Sequence, residues 1–201
     1  TLNQIDEDGK KQGYWIITGE MKPEKGHCSD CVIEQGYYQN SRKTGIWYKF
    51  YASNNSLRSE ITYVNGRPNG AFKTYYKNGN LQEQATWKRN RYLGSFKRYH
   101  ENGNLAQEKN FDENGKELGQ ITYYCENGEI ELQYNALHGK PVGLYQRFDC
   151  FGNLLNETFY DTSKVEVPAD TSHVKPTNQS SKSAPCYEKE SSNSQYPFKP
   201  N

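Results

Sequence analysis

A glycine returns along this chain at a nearly constant spacing of 24 or 25 residues. Each of these glycines is followed two positions later by a large, mostly aromatic side chain and five positions later by an aromatic one. The glycines are Gly45, Gly70, Gly94, Gly119 and Gly143, the second set is Trp47, Phe72, Phe96, Ile121 and Tyr145, and the third is Phe50, Tyr75, Tyr99, Tyr124 and Phe148. A fixed period of this length is typical of a stacked array in which each repeat contacts mainly its neighbours.

Turn signals inside each period predict β-hairpins. Asn-Gly dipeptides fall in register at Asn78-Gly79, Asn102-Gly103 and Asn127-Gly128, and a degenerate Phe151-Gly152 continues the series. An Asn-Gly between alternating apolar residues indicates a hairpin, because a type I′ turn requires positive φ at both central residues. No stretch shows helical periodicity, so the sequence predicts an all-β fold: a single-layer antiparallel meander of stacked hairpin repeats, followed by a flexible C-terminal tail.

The period of two along a strand assigns side chains to faces. In the second strand of one repeat, Leu81, Glu83 and Ala85 share a face. In the first strand Phe72 and Tyr75 differ by three positions, so they lie on opposite faces unless a bulge intervenes.

Two repeats depart from the pattern. Asn54-Asn55-Ser56 replaces Asn-Gly and adds one residue before Leu57, which predicts a longer turn in the first repeat. In the fourth repeat Tyr134 comes two residues earlier than the matching aromatic of its siblings, which predicts a local change of register before Gly139.

The repeated motif reads Gly-x-aromatic-x-x-aromatic followed by Asn-Gly-x-Leu, as in residues 70–81 and again in residues 94–105. This motif resembles the variant MORN repeat family, whose bacterial members are described as antitoxin-like. The resemblance covers roughly residues 36–160 and implies a single-layer, twisted ribbon of stacked hairpins that is used for binding.

Composition divides the chain into three expected parts. Residues 1–35 form an N-terminal capping segment with a CxxC loop, residues 36–161 the MORN-like hairpin array, and residues 162–201 a low-complexity tail rich in Ser, Pro, Lys, Thr and Asn. The tail has too few aliphatic residues to offset its ordering entropy, so we expect it to be mobile alone. Its end, Tyr196-Pro197-Phe198, is either a docking peptide or an inert terminus.

Overall composition excludes several classes of partner. The formal net charge is +1, which gives no reason to expect nucleic acid or an acidic membrane as a partner. Hydrophobic residues make up only 33% of the chain while aromatic residues reach 14%, which fits a one-layer sheet covered by tyrosines. There is no run of about 20 apolar residues, so no transmembrane segment is expected. Because Thr1 replaces an initial methionine, we expect either a removed signal peptide or a shortened chain.

The five cysteines predict two disulfides and one unpaired residue. Cys28 and Cys31 form a CxxC, but a structural zinc site normally needs a second such pair, so a local disulfide is preferred over free thiols or a metal. Cys125 and Cys150 fall on neighbouring hairpins, within reach of each other in principle, although a one-residue offset works against the pairing. Cys186 is left over, either free or linked to a partner.

No constellation indicates catalysis, a metal or a cofactor. The four histidines, His27, His100, His138 and His173, share no recurrent spacing with a nucleophile. The carboxylates Glu60, Glu83, Glu108 and Glu157 recur with the repeat and are expected to pair across strands with lysines. The densest basic-aromatic segment, residues 87–92, could hold a carboxylate, phosphate or glycan, but a solvated turn is the simpler interpretation.

These observations predict a non-enzymatic protein–protein interaction module, an accessory subunit of a larger assembly in the bacterial periplasm or cell envelope. The alternatives are a cytoplasmic antitoxin-like protein that masks an enzyme and a glycan or lipid-headgroup binder. The expected binding or packing surface is an aromatic repeat face consisting of Trp47, Phe72, Tyr75, Trp87, Phe96, Tyr99 and Phe111. Two open sheet edges are expected, one closed by the N-terminal segment and one near residues 154–160, where the tail or a partner would dock.

Overall fold

The computed structural model describes residues 1–161 and residue 163, and these form one continuous antiparallel sheet of thirteen strands. Within residues 1–161 a short 3₁₀ turn at Pro23–Lys25 is the only helical element. The strands are β1 (Gln4–Ile5), β2 (Lys11–Thr18), β3 (Val32–Gln39), β4 (Arg42–Phe50), β5 (Leu57–Val64), β6 (Arg67–Tyr75), β7 (Leu81–Lys88), β8 (Arg91–Tyr99), β9 (Leu105–Phe111), β10 (Gly119–Tyr124), β11 (Ile130–Leu137), β12 (Lys140–Phe148) and β13 (Leu154–Tyr160).

Every strand pairs with the strand that precedes it in the sequence, so the sheet is a pure meander. The predicted all-β, single-layer fold is confirmed. The array begins earlier than the expected domain boundary at residue 36, which falls inside β3, because β2 and β3 pair in the same sheet as the later hairpins. The tail, including Cys186, His173 and the Tyr196 cluster, lies outside the described residues.

The type I′ prediction for the repeat Asn-Gly dipeptides is wrong. Gly79 has a φ of +90°, but Asn78 is not among the residues with positive φ. The loop instead closes with hydrogen bonds from Tyr76 N to Asn80 O and from Gly79 N to Tyr76 O. The Asn78 side chain also accepts from Asn80 N, at 2.9 Å. These bonds hold a five-residue loop with one left-handed glycine, which is a wider turn than type I′.

Two-residue turns with positive φ at both positions occur at the opposite ends of the strands. Asn65 and Gly66 have φ of +50° and +80°, and the pairs Arg89-Asn90 and His138-Gly139 behave likewise. The strands therefore end on one side in wide loops, which we call the tips. On the other side they end in tight turns, except for the wide loops of residues 6–10 and 112–118. The first tip spans residues 51–56, one residue more than residues 76–80, which confirms the longer turn predicted there.

Register shifts recur in the sheet and are not special to the fourth repeat. The pairing of β11 with β12 slips between Gln133 and Asn135, as predicted near Tyr134, but β5 and β6 slip at the equivalent place, between Ile61 and Tyr63. The predicted change of register is confirmed, whereas its restriction to one repeat is wrong. The shift is a β-bulge that recurs from repeat to repeat. It increases the local twist, so that each tight turn can connect two twisted strands.

The apolar core covers one face of the sheet, which we call the aromatic face. Trp47 pairs with Ile61, which pairs with Phe72, which pairs with Ala85. These residues build two clusters of rings, one around Trp15 and Trp47 and one around Phe72 and Phe96. The opposite face, the polar face, carries a continuous row in register across five strands: Glu60, Lys73, Gln84, Lys97 and Glu108.

Candidate binding surface

Three of the seven predicted aromatic residues lie in the core of the aromatic face. Trp47 has no exposed surface, and Phe72 and Phe96 are buried as well. The Trp47 ring lies directly against the backbone of Gly36, where a Cβ atom would come within 2.6 Å of the ring. Its indole Nε1 donates to Tyr37 O at 3.0 Å. These residues pack strand on strand and present no free ring to a ligand.

Trp87 and Phe111 complete this face at the level of the tight turns. Both pack against Tyr92, with ring centroids 5.3 Å and 5.2 Å away. Tyr92 follows the turn formed by Arg89 and Asn90, so the basic-aromatic segment divides between packed rings and exposed cations. The interpretation of its turn as solvated agrees with this arrangement.

Tyr75 and Tyr99 lie on the polar face and do not join the other five residues. The Tyr75 hydroxyl donates to Glu60 Oε1 at 2.7 Å, and Tyr99 accepts from Gln84 Nε2 at 3.3 Å. The seven aromatics therefore do not share one face, because an offset of three along a strand reverses the side. The register shift between Thr74 and Tyr75 does not change this, since its extra residue, Gln82, lies on β7. Their role in binding stays a prediction.

The recurrent carboxylates make cross-strand contacts, as predicted, but only some of their partners are cations. Glu108 pairs with Lys97 at 2.8 Å and Glu83 with Arg98 at 2.9 Å. Glu60 accepts from a tyrosine instead, and Glu157 accepts from Gln146 Nε2 at 2.8 Å.

An ion cluster on the aromatic face attaches the cysteine loop to the sheet. Glu34 is only 5% exposed and receives Lys22 Nζ at 2.7 Å and Lys43 Nζ at 2.6 Å. Burial raises the pKa of Glu34, but the hydrogen bonds from the two lysines outweigh it and hold that pKa below its ordinary value. Burial lowers the pKa of Lys43, and its ammonium also lies 3.9 Å from the centre of the Trp47 ring system.

The cysteines fall into the two predicted pairs, each at disulfide distance. Cys28 and Cys31 lie in the loop between β2 and β3, with Cα atoms 5.2 Å apart, and Cys125 and Cys150 join two neighbouring tips, with Cα atoms 5.7 Å apart. The one-residue offset does not prevent the second pairing. Asp30 brings a third potential metal ligand to the first pair, which is fewer than the four of a structural zinc site.

The last strand exposes apolar side chains that the sequence analysis did not select. Phe159 is 72% exposed and Leu155 is 61% exposed, and Leu144 of β12, also exposed, is paired with Phe159. Within the described residues β13 pairs only with β12, so its other backbone edge is unpaired. We call the unpaired backbone of β13, together with the exposed side chains of Leu144, Leu155 and Phe159, the β13 edge.

A signal for the β13 edge is visible when the repeats are aligned. Five positions after the aliphatic that opens each second strand, earlier repeats place a polar residue, whereas the last places Phe159. One position after that aliphatic, Leu155 likewise replaces residues that are mostly polar. The two series are Thr62, Thr86, Asn110, Asn135 and Phe159, and Arg58, Gln82, Ala106, Glu131 and Leu155.

An open antiparallel sheet assembled from successive hairpins with a period of 24 or 25 residues defines the protein as a β-hairpin repeat array. Three consecutive segments, residues 43–65, 68–89 and 92–113, match the MORN repeat variant, so this part of the chain consists of variant MORN repeats. They correspond to β4–β5, β6–β7 and β8–β9. Repeats of this kind are often protein- or lipid-binding modules. A comparison with curated proteins gives no match.

None of the helical structure in the described residues is long and apolar enough to cross a membrane.

Proposed function

We propose that this protein is a non-catalytic interaction module that binds a partner protein by adding one of the partner's strands to β13. The observation that carries the proposal is the coincidence of an unpaired strand edge with exposed apolar side chains at the β13 edge. Strand addition supplies main-chain hydrogen bonds for affinity, and alternating side chains give specificity.

Exposed edges are usually protected by charges, because an unpaired strand recruits other strands. The described part of β13 carries one charged residue, Glu157, and that carboxylate already accepts from Gln146. Where the earlier repeats carry mostly polar residues, β13 carries Leu155 and Phe159. The unpaired edge therefore lacks polar side chains that would protect it from pairing with other strands. Exposed apolar side chains at such an edge are expected at a binding site, whereas elsewhere they would favour aggregation.

The partner strand belongs to a different protein and not to a second copy of this chain. In a symmetric antiparallel pair that sets Leu155 against Phe159, Glu157 would face its own symmetry mate. Like charges directly opposite each other on adjacent strands are destabilising. At the other end of the sheet, β1 has only two residues and offers little edge to a copy. We therefore expect an extended partner segment with apolar side chains at alternate positions.

The cysteine pairs support an extracytoplasmic location, because disulfides persist in oxidising compartments. We place the protein in the bacterial periplasm or cell envelope, as an accessory subunit of an assembly. The competing proposal, a cytoplasmic antitoxin-like protein that masks an enzyme, requires reduced cysteines. Thiol titration of the denatured, non-reduced protein from its native compartment separates them: one free thiol of the five cysteines is expected, and five would contradict the envelope proposal.

Strand addition is tested with the double variant Leu155→Lys/Phe159→Lys and the matched control Ile5→Lys, which places a lysine at an equally exposed residue of the opposite edge, 61% exposed. Affinity purification at native expression levels, with mass spectrometry, identifies proteins retained by the wild type. The partner should be lost from the double variant and kept by the control, and the purified partner should slow hydrogen exchange of β13 amides. Equal retention by the double variant, or unchanged exchange in β13, would refute the proposal.

A further inference from the structure

A cleft of about 510 Å³ opens on the aromatic face and comes no nearer to the β13 edge than β11, two strands away. Its volume lies within the range of small-molecule sites, about 300–1,000 Å³. Its walls come from the region between β8 and β11 and include Phe96, Arg98, Gln107, Lys109, Tyr123 and Glu131.

Gln107 is the unusual residue of this cleft. As a whole residue it is only 7% exposed, it lines the cleft, and its side-chain amide makes no hydrogen bond to any described residue. The amide atoms are not among the fully buried, unpartnered atoms of the described residues, so they face the cleft, where a ligand that supplies a donor and an acceptor can take the place of water. In the preceding repeat the same position, two residues after the opening leucine, holds Glu83, which is bonded to Arg98. In the next repeat it holds Leu132, so the fold does not require a polar side chain there.

The cations near the cleft are already neutralised. Arg98 donates two hydrogen bonds to Glu83, and Lys109 Nζ lies 2.6 Å from Glu117 Oε1. The remaining acid of the wall, Glu131, lies 3.8 Å from an arginine of the adjacent strand. A phosphate or carboxylate would therefore find no unpaired positive charge in the cleft and would have to displace an existing carboxylate. A neutral ligand avoids this cost.

Aromatic rings provide the apolar part of the wall. Phe111 and Tyr123, both half-buried, present their rings there, while the buried Phe96 packs edge to face against Phe111 at 6.0 Å, and Lys109 Nζ lies 5.2 Å from the Tyr123 ring centre. Two partly exposed rings beside one amide match a ligand with an apolar face and a rim of hydroxyl groups.

We infer that the cleft binds a neutral carbohydrate, with the C–H face of one pyranose ring against the aromatic wall and adjacent hydroxyls bonded to the Gln107 amide. The amide both donates and accepts, which suits a pair of vicinal hydroxyls. The inference does not depend on strand addition at β13, since the two surfaces share no residue.

The test uses the full chain and four neutral probes, cellotetraose, chitotetraose, maltotetraose and mannotetraose, with binding measured by ligand-observed NMR and calorimetry. The variant is Gln107→Leu, whose side chain the next repeat already places at this position. The matched control is Gln84→Leu on the polar face of the adjacent hairpin. At least one probe should bind, with affinity reduced about tenfold by Gln107→Leu and essentially unchanged by Gln84→Leu.

Thermal unfolding of both variants ensures that a loss of binding is not a loss of fold. Failure of all four sugars to bind the wild type would overturn the inference, as would equal affinity of the wild type and Gln107→Leu. Preferential binding to vesicles of anionic phospholipid, weakened by Gln107→Leu, would also overturn it by assigning the cleft to a charged headgroup.

Discussion

The hydroxyl of Tyr76 donates a 2.7 Å hydrogen bond to the backbone oxygen of Tyr99, one repeat further along the chain. Tyr51 bonds to Tyr75 O in the same way, and His100 Nε2 bonds to Tyr124 O at 2.8 Å. At the next step the equivalent residue is Cys125, which pairs with a cysteine of the following tip. We call these contacts, made by Tyr51, Tyr76, His100 and Cys125, the tip ladder. Each links one hairpin to the next through a side chain, and the last, the disulfide, is covalent.

The tip ladder predicts that Tyr76→Phe lowers the free energy of unfolding by about 1 kcal/mol, because one hydrogen bond between neighbouring hairpins is lost without a change in packing. Urea unfolding followed by tryptophan fluorescence measures the difference. Tyr48→Phe is the control, because no hydrogen bond of the Tyr48 hydroxyl is found among the described residues. Equal effects of the two substitutions would contradict a stabilising role for the ladder.

The second prediction concerns the pair Cys125–Cys150, which closes a loop with a sequence separation of 25 residues. Removing both with Cys125→Ser/Cys150→Ser should cost about 3 kcal/mol, because the cross-link restricts the unfolded chain. Cys28→Ser/Cys31→Ser, with a separation of three residues, should cost much less. Calorimetry on the oxidised proteins compares them, and equal losses would show that loop length does not govern the effect.

The third prediction tests the contact between Gly36 and Trp47. Gly36→Ala should destabilise the protein by about 1–3 kcal/mol, because the added Cβ would overlap the Trp47 ring. The backbone of Gly36 does not have positive φ, so the effect is steric and not conformational. In the background of Trp47→Leu the same substitution should cost clearly less. Additive losses in this double-mutant cycle would argue against the contact.

The fourth prediction concerns acid. The folded-state pKa of Glu34 is lowered, so its contribution to stability is present above its unfolded value of about 4.5 and is lost as pH falls through the folded value. Glu34→Gln should therefore be much less stable than the wild type at pH 7, with the difference shrinking below pH of about 4.5. Unfolding curves from pH 3 to pH 7 measure this difference. Glu101→Gln, at an exposed residue, is the control substitution, and equal losses of stability in the two variants at pH 7 would contradict the prediction.

Much of the fold could be predicted because the repeat encodes it locally. The glycine period, the turn dipeptides and the alternation after Leu81 are each short-range signals, and a meander needs only neighbouring strands to pair. The turn type could not be predicted from Asn78-Gly79, because an Asn side chain that bonds to its own loop and to the next tip favours a wider loop over type I′.

The candidate site was only partly predictable for a related reason. Repetition made the aromatic residues conspicuous, yet Trp47, Phe72 and Phe96 recur because every hairpin must bury one ring against the next. Phe159 and Leu155 break the repeat at the edge expected near residues 154–160 and so carry more information about binding, but only the structure shows that both side chains are exposed there.

The sequence by itself determined the class of fold, the number and order of the hairpins it repeats, and the open edge expected near residues 154–160. These follow from local periodicity, since each repeat contacts mainly its neighbours. The tertiary structure alone decided which rings are buried, that Cys125 and Cys150 come within disulfide distance, and that Leu155 and Phe159 are exposed at that edge. It also decided that Glu83 is bonded to Arg98, whereas the Gln107 side chain has no hydrogen-bond partner among the described residues. Burial and hydrogen bonding depend on what the adjacent strand places opposite a residue, and the register that sets this includes a bulge in each repeat.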